Sequence, residues 1–143
     1  MKCGPSGGIG GSDFADTPSP EVRITALTVW HGKWVDAIQV FWSDGTSSPK
    51  HGGGSGDGTT IPLADGEYLV GIFGRYGEKV DSIGFVTNNR VCGPYGGSGG
   101  DVDYHYNDAK HEDVKPTSPS VTIVGFCGRE EDYIYAIGCV FSV

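Results

Sequence analysis

The sequence predicts an all-β domain made of three similar units around a pseudo-threefold axis. Three observations carry this. Val, Ile, Tyr, Phe, Trp and Thr occur in short runs bounded by Gly, Pro, Asp and Asn, the mark of many short antiparallel strands. Nowhere are Ala, Leu, Glu and Lys concentrated at 3.6-residue spacing, so no long helix is expected. The chain also repeats itself: LTVWHGKWVDAIQVFW (27–42), LVGIFGRYGEKVDSIGFV (69–86) and IVGFCGREEDYIYAIGCVF (123–141) each read as strand, turn and second strand.

Taken in order, the elements support this. The chain opens on a glycine cluster, CGPSGGIGGSDF (3–14), and two more follow the first two hairpins, HGGGSGDGTT (51–60) and CGPYGGSGGDVDY (92–104). The first and third share the pattern Cys-Gly-Pro-x-Gly-Gly-x-Gly-Gly. In VDSIGF and YAIGCVF apolar residues fall at every second position, so one face of each strand is expected to be buried. Three hairpins alternating with three glycine segments imply three four-stranded sheets packed as the sides of a prism, which leaves few bare sheet edges. The segment DAKHEDVKPTSPS (108–120) reads as an exposed polar loop.

Length and composition bound the function. The 143 residues read as one domain, 1–143, long enough to bury a core without metal or disulfide support. A formal net charge of −8 argues against nucleic acid and anionic membrane surfaces, which need clustered Lys and Arg. No apolar run reaches the roughly 18 residues of a membrane span, so no membrane insertion is expected. The N-terminus has no apolar signal core, which suits a cytosolic chain or a mature one carrying an added Met1. An even count of four cysteines tips the expectation toward an extracellular setting. Cys127 and Cys139 flank the third hairpin, where a cross-strand disulfide would staple it. Cys3 and Cys92 hold equivalent places in two repeats and are not expected to be neighbours; the pairing stays open, and Cys3 is free to link chains.

Glycine-rich loops suggest phosphate cradles, but no Gly-x-x-x-x-Gly-Lys-Ser/Thr is present. The histidines show no metal spacing. His105 and His111, with Asp103, Asp108 and Asp113, suit a solvated acidic loop better than a cation site. No Cys-x-x-Cys occurs, and no metal or cofactor is called for.

Four segments in order resemble the jacalin-related lectins: GPSGGIGGSDF, DGEYLVGIFGRYG, FVTNNRVCGPYGG and IVGFCGRxxxYIxAIG, together covering residues 3–142. The resemblance implies a β-prism I fold of three four-stranded Greek-key sheets and a non-catalytic, carbohydrate-binding function. In that family a sugar site joins a Gly-x-x-x-Asp turn to a glycine of a neighbouring glycine-rich loop. The chemistry fits: an aspartate accepts two vicinal hydroxyls, backbone N–H groups donate to the same oxygens, and glycine permits close approach.

Carried over residue by residue, the resemblance gives three candidate sites. Site one joins Gly11 to Glu131-Asp132-Tyr133-Ile134-Tyr135. Site two joins Gly32-Lys33-Trp34-Val35-Asp36 to Gly56. Site three joins Gly77-Glu78-Lys79-Val80-Asp81 to Gly100. Sites two and three keep Gly-x-x-x-Asp; site one keeps neither end, and is expected to be dead or altered, with Tyr133 and Tyr135 available to stack on a sugar. The glycine segment is uncut around Gly11, which resembles the mannose/glucose branch rather than the cleaved galactose branch. Glycans are the expected partners, and a homodimer or higher homo-oligomer is expected to raise avidity.

Plainer readings stand beside these. Asp36 and Asp81 also suit ordinary turns. Trp34, at a turn tip beside Lys33 and Asp36, both expected to be solvated, reads as a stacking platform or an oligomer contact. Asp36 with Asp81 does not read as a glycosidase pair, because the repeat places them in different sites. A galactose-type lectin and an acidic, glycine-rich matrix protein that self-associates are the alternatives.

Overall fold

The computed structural model describes residues 2–106 and 122–142, and the loop expected at 108–120 lies outside them. Twelve strands follow in order: β1 (Lys2–Gly7), β2 (Ser12–Ala15), β3 (Ile24–His31), β4 (Val35–Trp42), β5 (His51–Gly52), β6 (Asp57–Pro62), β7 (Leu69–Tyr76), β8 (Val80–Thr87), β9 (Val91–Gly96), β10 (Val102–Tyr106), β11 (Ile123–Glu130) and β12 (Ile134–Phe141). The described residues contain no helix.

They form three antiparallel four-stranded sheets, β1-β12-β11-β2, β5-β4-β3-β6 and β9-β8-β7-β10. Each predicted hairpin is the middle pair of a sheet, and strands from a glycine segment flank it. The first sheet closes the domain, because the N-terminal strands pair with the C-terminal hairpin.

Register shows the threefold repeat residue by residue. Ser6, Ile137, Gly128 and Phe14 form one row across the first sheet. His51, Ile38, Val29 and Thr59 form the matching row of the second. Tyr95, Ile83, Gly74 and Tyr104 form that of the third. Ile38, Ile83 and Ile137 are each at most 1% exposed. They sit on β4, β8 and β12, the strands that meet at the axis. Phe85 and Phe126 pack edge to face, with ring centroids 6.2 Å apart.

Two expectations need correction. β8 is buried at every residue, not at alternate ones. On its outer side Gly84 lies beneath the Phe73 ring, where a Cβ would sit 2.2 Å from Cζ. The third hairpin carries no disulfide, and all four cysteines are free thiols. Cys139 pairs with Phe126, whereas Cys127 pairs with Gly138, so the two side chains leave opposite faces of the sheet.

Candidate functional site

The hairpin ends lie together at one end of the prism and share one turn geometry. The N–H of Gly32 donates to Trp34 O at 3.0 Å, that of Gly77 to Lys79 O at 2.9 Å, and that of Glu131 to Tyr133 O at 3.1 Å. The altered hairpin therefore keeps the turn despite losing its glycine.

Glycines knit these turns into a ring. The N–H groups of Gly53, Gly97 and Gly8 each donate at 2.9 Å to the carbonyls of Asp36, Asp81 and Tyr135. The same glycines press on the next hairpin around the axis. A Cβ at Gly53 would lie 2.1 Å from Asp132 O, one at Gly97 2.1 Å from Lys33 O, and one at Gly8 2.1 Å from Glu78 O. Any side chain there would force neighbouring sheets apart.

Within this ring the two aspartates are buried, Asp36 at 5% and Asp81 at 7% exposure. That corrects the expectation of a solvated Asp36: it is the second residue of β4, drawn beneath the glycine loop. A Cβ at Gly56 would lie 2.3 Å from Asp36 Oδ2, and one at Gly100 2.9 Å from Asp81 Oδ2. Gly56 and Gly100 have φ of +91° and +97°, which L-residues rarely adopt. The structure thus brings Gly32, Asp36 and Gly56 together, and Gly77, Asp81 and Gly100 likewise, while Lys33 and Glu78 stay exposed at the turns.

Among the described residues no donor hydrogen-bonds the Asp36 carboxylate, and burial pushes its pKa up, with His31 opposing. Burial also raises Asp81; Asp101 adds to the push, while Lys79, Arg75 and the Gly77 amide oppose it. Each is a buried acceptor held against a backbone too close for any side chain.

Site one is different. Tyr135 occupies the place of the aspartate, and a Cβ at Gly10 would lie 2.7 Å from its Cδ1. Gly11 faces the Glu130 backbone instead of a carboxylate, and Asp132 lies against Gly53. Trp34, half-buried, meets Tyr133 edge-on at 5.3 Å, and Lys79 Nζ sits 4.3 Å from the Trp34 ring centre and 5.0 Å from that of Tyr133. Side chains from all three hairpins thus converge at the axis. A cavity of about 580 Å³ lies between Ile9, Tyr135 and the Gly77 turn. Another, about 770 Å³, lies at the far end of the first sheet, against Val124 and Val140, away from both aspartates.

Sequence reading missed the residues that hold the glycine loops. Arg75 Nη2 donates to Gly100 O at 2.8 Å and Nη1 pairs with Asp103 at 2.7 Å. Arg129 does the same with Gly11 O at 2.6 Å and Asp13 at 2.6 Å. The repeated Gly-Arg was the signal. At the matching place in the second sheet stands Trp30, under Lys50. His51 and Glu130 were also missed. The histidine bonds Asp16 through Nε2 at 2.7 Å and Glu130 through Nδ1 at 2.5 Å. No spacing signals this, because the three residues come from three distant segments.

Among the described residues no group of His, Cys, Asp and Glu is arranged to hold a metal ion. His111, Asp108 and Asp113 lie outside them.

A prism of three four-stranded sheets, with buried carboxylates beneath glycine loops at one end, has the architecture of a class of lectins. The chain belongs to the jacalin-like lectin domain family, whose profile matches residues 3–140. It is 33% identical over 149 residues to horcolin of Hordeum vulgare, covering 96% of this chain and 94% of that protein. It is 30% identical over 148 residues to the jacalin-related lectin Calsepa of Calystegia sepium, covering 94% and 90%. Among solved structures, artocarpin in complex with mannotriose superimposes with a TM-score of 0.84 at 26% identity, covering 100% of this chain and 97% of that one. Malaysian banana lectin does so with 0.82 at 26% identity, covering 99% and 96%. The protein is a jacalin-like, carbohydrate-binding lectin, and that membership implies non-catalytic binding.

Proposed function

We propose that the protein binds mannose/glucose-type glycans at two sites per chain, one at Gly32, Lys33, Trp34, Asp36 and Gly56, the other at Gly77, Glu78, Lys79, Asp81 and Gly100. The observation that carries this is the Asp36 carboxylate, 5% exposed, without a hydrogen-bond donor among the described residues and facing Gly56. Leaving a buried carboxylate unbonded costs stability, and two sugar hydroxyls supply the missing donors. Asp81 holds the matching place against Gly100. Relatives support the sugar class: a lectin of Parkia pendula described as mannose/glucose-specific is 29% identical over 96% of this chain, which spans 31% of that protein. Site one does not take an ordinary hexose in this reading, because Tyr135 fills it. Two sites per chain, multiplied by assembly into a homodimer or larger oligomer, give avidity for clustered glycans.

Isothermal titration with methyl mannoside, methyl glucoside and methyl galactoside tests this. The expected result is two sites per chain for the first two sugars and none for the third. Asp36→Ala and Asp81→Ala each reduce the count to one. Heat with galactoside alone overturns the sugar class, and no heat in a folded sample favours the self-associating matrix reading.

A further inference from the structure

The three glycine loops are not held alike. Arg75 and Arg129 each grip a carbonyl of the loop beside them, Gly100 in one sheet and Gly11 in another. Trp30 takes that place in the second sheet, so the loop that carries Gly56 has no arginine behind it. Support comes instead from the neighbouring sheet. Glu130 Oε1 accepts from the Gly52 N–H at 2.9 Å, while Oε2 meets His51 Nδ1 at 2.5 Å. Asp16, whose Oδ2 accepts from the Phe126 N–H at 2.9 Å, meets His51 Nε2 with Oδ1 at 2.7 Å. The imidazole stacks on Phe14 with ring centroids 4.1 Å apart. Both ring nitrogens face carboxylates, which accept only, so both bonds form only when both nitrogens carry a proton.

The repeat supplies its own control. In register, His51 corresponds to Tyr95 and Ser6, and Glu130 corresponds to His31 and Tyr76. At the matching corner beside site three, Tyr95 packs on His31 at 5.3 Å, and among the described residues no carboxylate hydrogen-bonds either ring.

We propose that Glu130 and His51 are positioning residues for site two: with His51 doubly protonated they hold the Gly52–Gly56 loop over Asp36, and sugar affinity there falls as pH rises while affinity at Asp81 does not. This rests on the two-site reading above. It also gives the altered hairpin a task, since Glu130 precedes the turn that lost its own sugar residues.

The charged groups around His51 are Asp16, following β2, and Glu130 on β11. Burial alone would lower the histidine pKa, but the two carboxylates outweigh it and hold it above the ordinary 6.5. The stabilisation is therefore complete below that ordinary value and is lost as pH rises through the raised one. Other titratable groups stand around site two: His31, which interacts with the Asp36 charge, Asp57 beside Gly56, Lys33 at the turn and Asp132 against Gly53.

The test uses full-length chains with one site each, Asp81→Ala to report site two and Asp36→Ala to report site three, titrated with methyl mannoside from about pH 6 to about pH 9. Site-two affinity is expected to fall roughly five- to tenfold over that range, as for the loss of a charge-assisted hydrogen bond, and site-three affinity by less than about twofold. Glu130→Gln, which keeps the shape and an acceptor for Gly52, is expected to weaken site two at the acid end and flatten its profile. A profile unchanged by Glu130→Gln places the pH dependence outside the Glu130–His51 pair and overturns the proposal, as does a parallel fall at both sites. Should neither chain bind methyl mannoside at any pH, the two-site reading has failed. NMR then decides the latch by itself: the Gly52 amide and the His51 ring are expected to titrate together, and independent titration overturns it.

Discussion

The Tyr135 ring lies against Gly10 at the place where Asp36 faces Gly56 and Asp81 faces Gly100. Its backbone carbonyl still accepts from Gly8, as the two aspartate carbonyls accept from Gly53 and Gly97. A side chain has been exchanged while the backbone frame stayed. The frame belongs to the ring of turns that closes the prism, whereas in the two-site proposal the carboxylate serves the ligand.

Restoring that carboxylate tests the exchange. The double substitution Glu131→Gly, Tyr135→Asp is expected to raise the number of methyl mannoside sites from two to three. It also removes a ring packed on Gly10 and Lys79. The melting temperature is therefore expected to fall by the equivalent of about 1–3 kcal/mol. Titration counts the sites and calorimetry reads the cost.

Gly56 and Gly54 lie two residues apart and respond differently. Gly56→Ala places a methyl against Asp36 Oδ2 at a φ of +91°. It is expected to cost about 1–2 kcal/mol and to abolish binding at site two alone. Gly54 has open space around its Cβ position, so Gly54→Ala is expected to leave both stability and binding unchanged. Equal effects from the two would remove the steric argument.

Acid is expected to weaken sugar binding earlier than for an ordinary aspartate. Burial raises the pKa of Asp36 and Asp81 above the usual 3.8. A protonated carboxyl accepts hydroxyl groups poorly, so affinity falls as pH drops through the raised values. Linkage runs the other way for stability: the cost of holding these charges is present above the raised pKa and relieved below it. Affinity and the aspartates' share of stability should therefore move in opposite directions in acid, a split that paired titration and melting curves read directly.

Removing the charge without changing shape separates stability from function. Asp36→Asn relieves a buried anion that lacks a donor, and is expected to leave the protein as stable or up to about 1 kcal/mol more so. The same substitution is expected to weaken binding at site two by roughly a hundredfold, the loss of two hydrogen bonds to a charged group. Destabilisation by more than about 2 kcal/mol would mean Asp36 supports the fold through contacts of its own.

Neighbouring residues were enough to specify the fold, the pairing of three hairpins with three glycine segments, and the odd third turn. Those features are local: alternation, turn chemistry and repeats are written along the chain, and Gly11, Gly56 and Gly100 are visible as members of them. Three others emerged from packing across the sheets. Asp36 and Asp81 are buried, because the loops that cover them come from the far side of each sheet. Cys127 and Cys139 face apart, because an offset of one in register reverses the face. Asp16, His51 and Glu130 meet at a corner where three segments far apart in the chain converge. Ion pairs of that kind follow from how whole sheets pack, a long-range arrangement that no window of sequence contains.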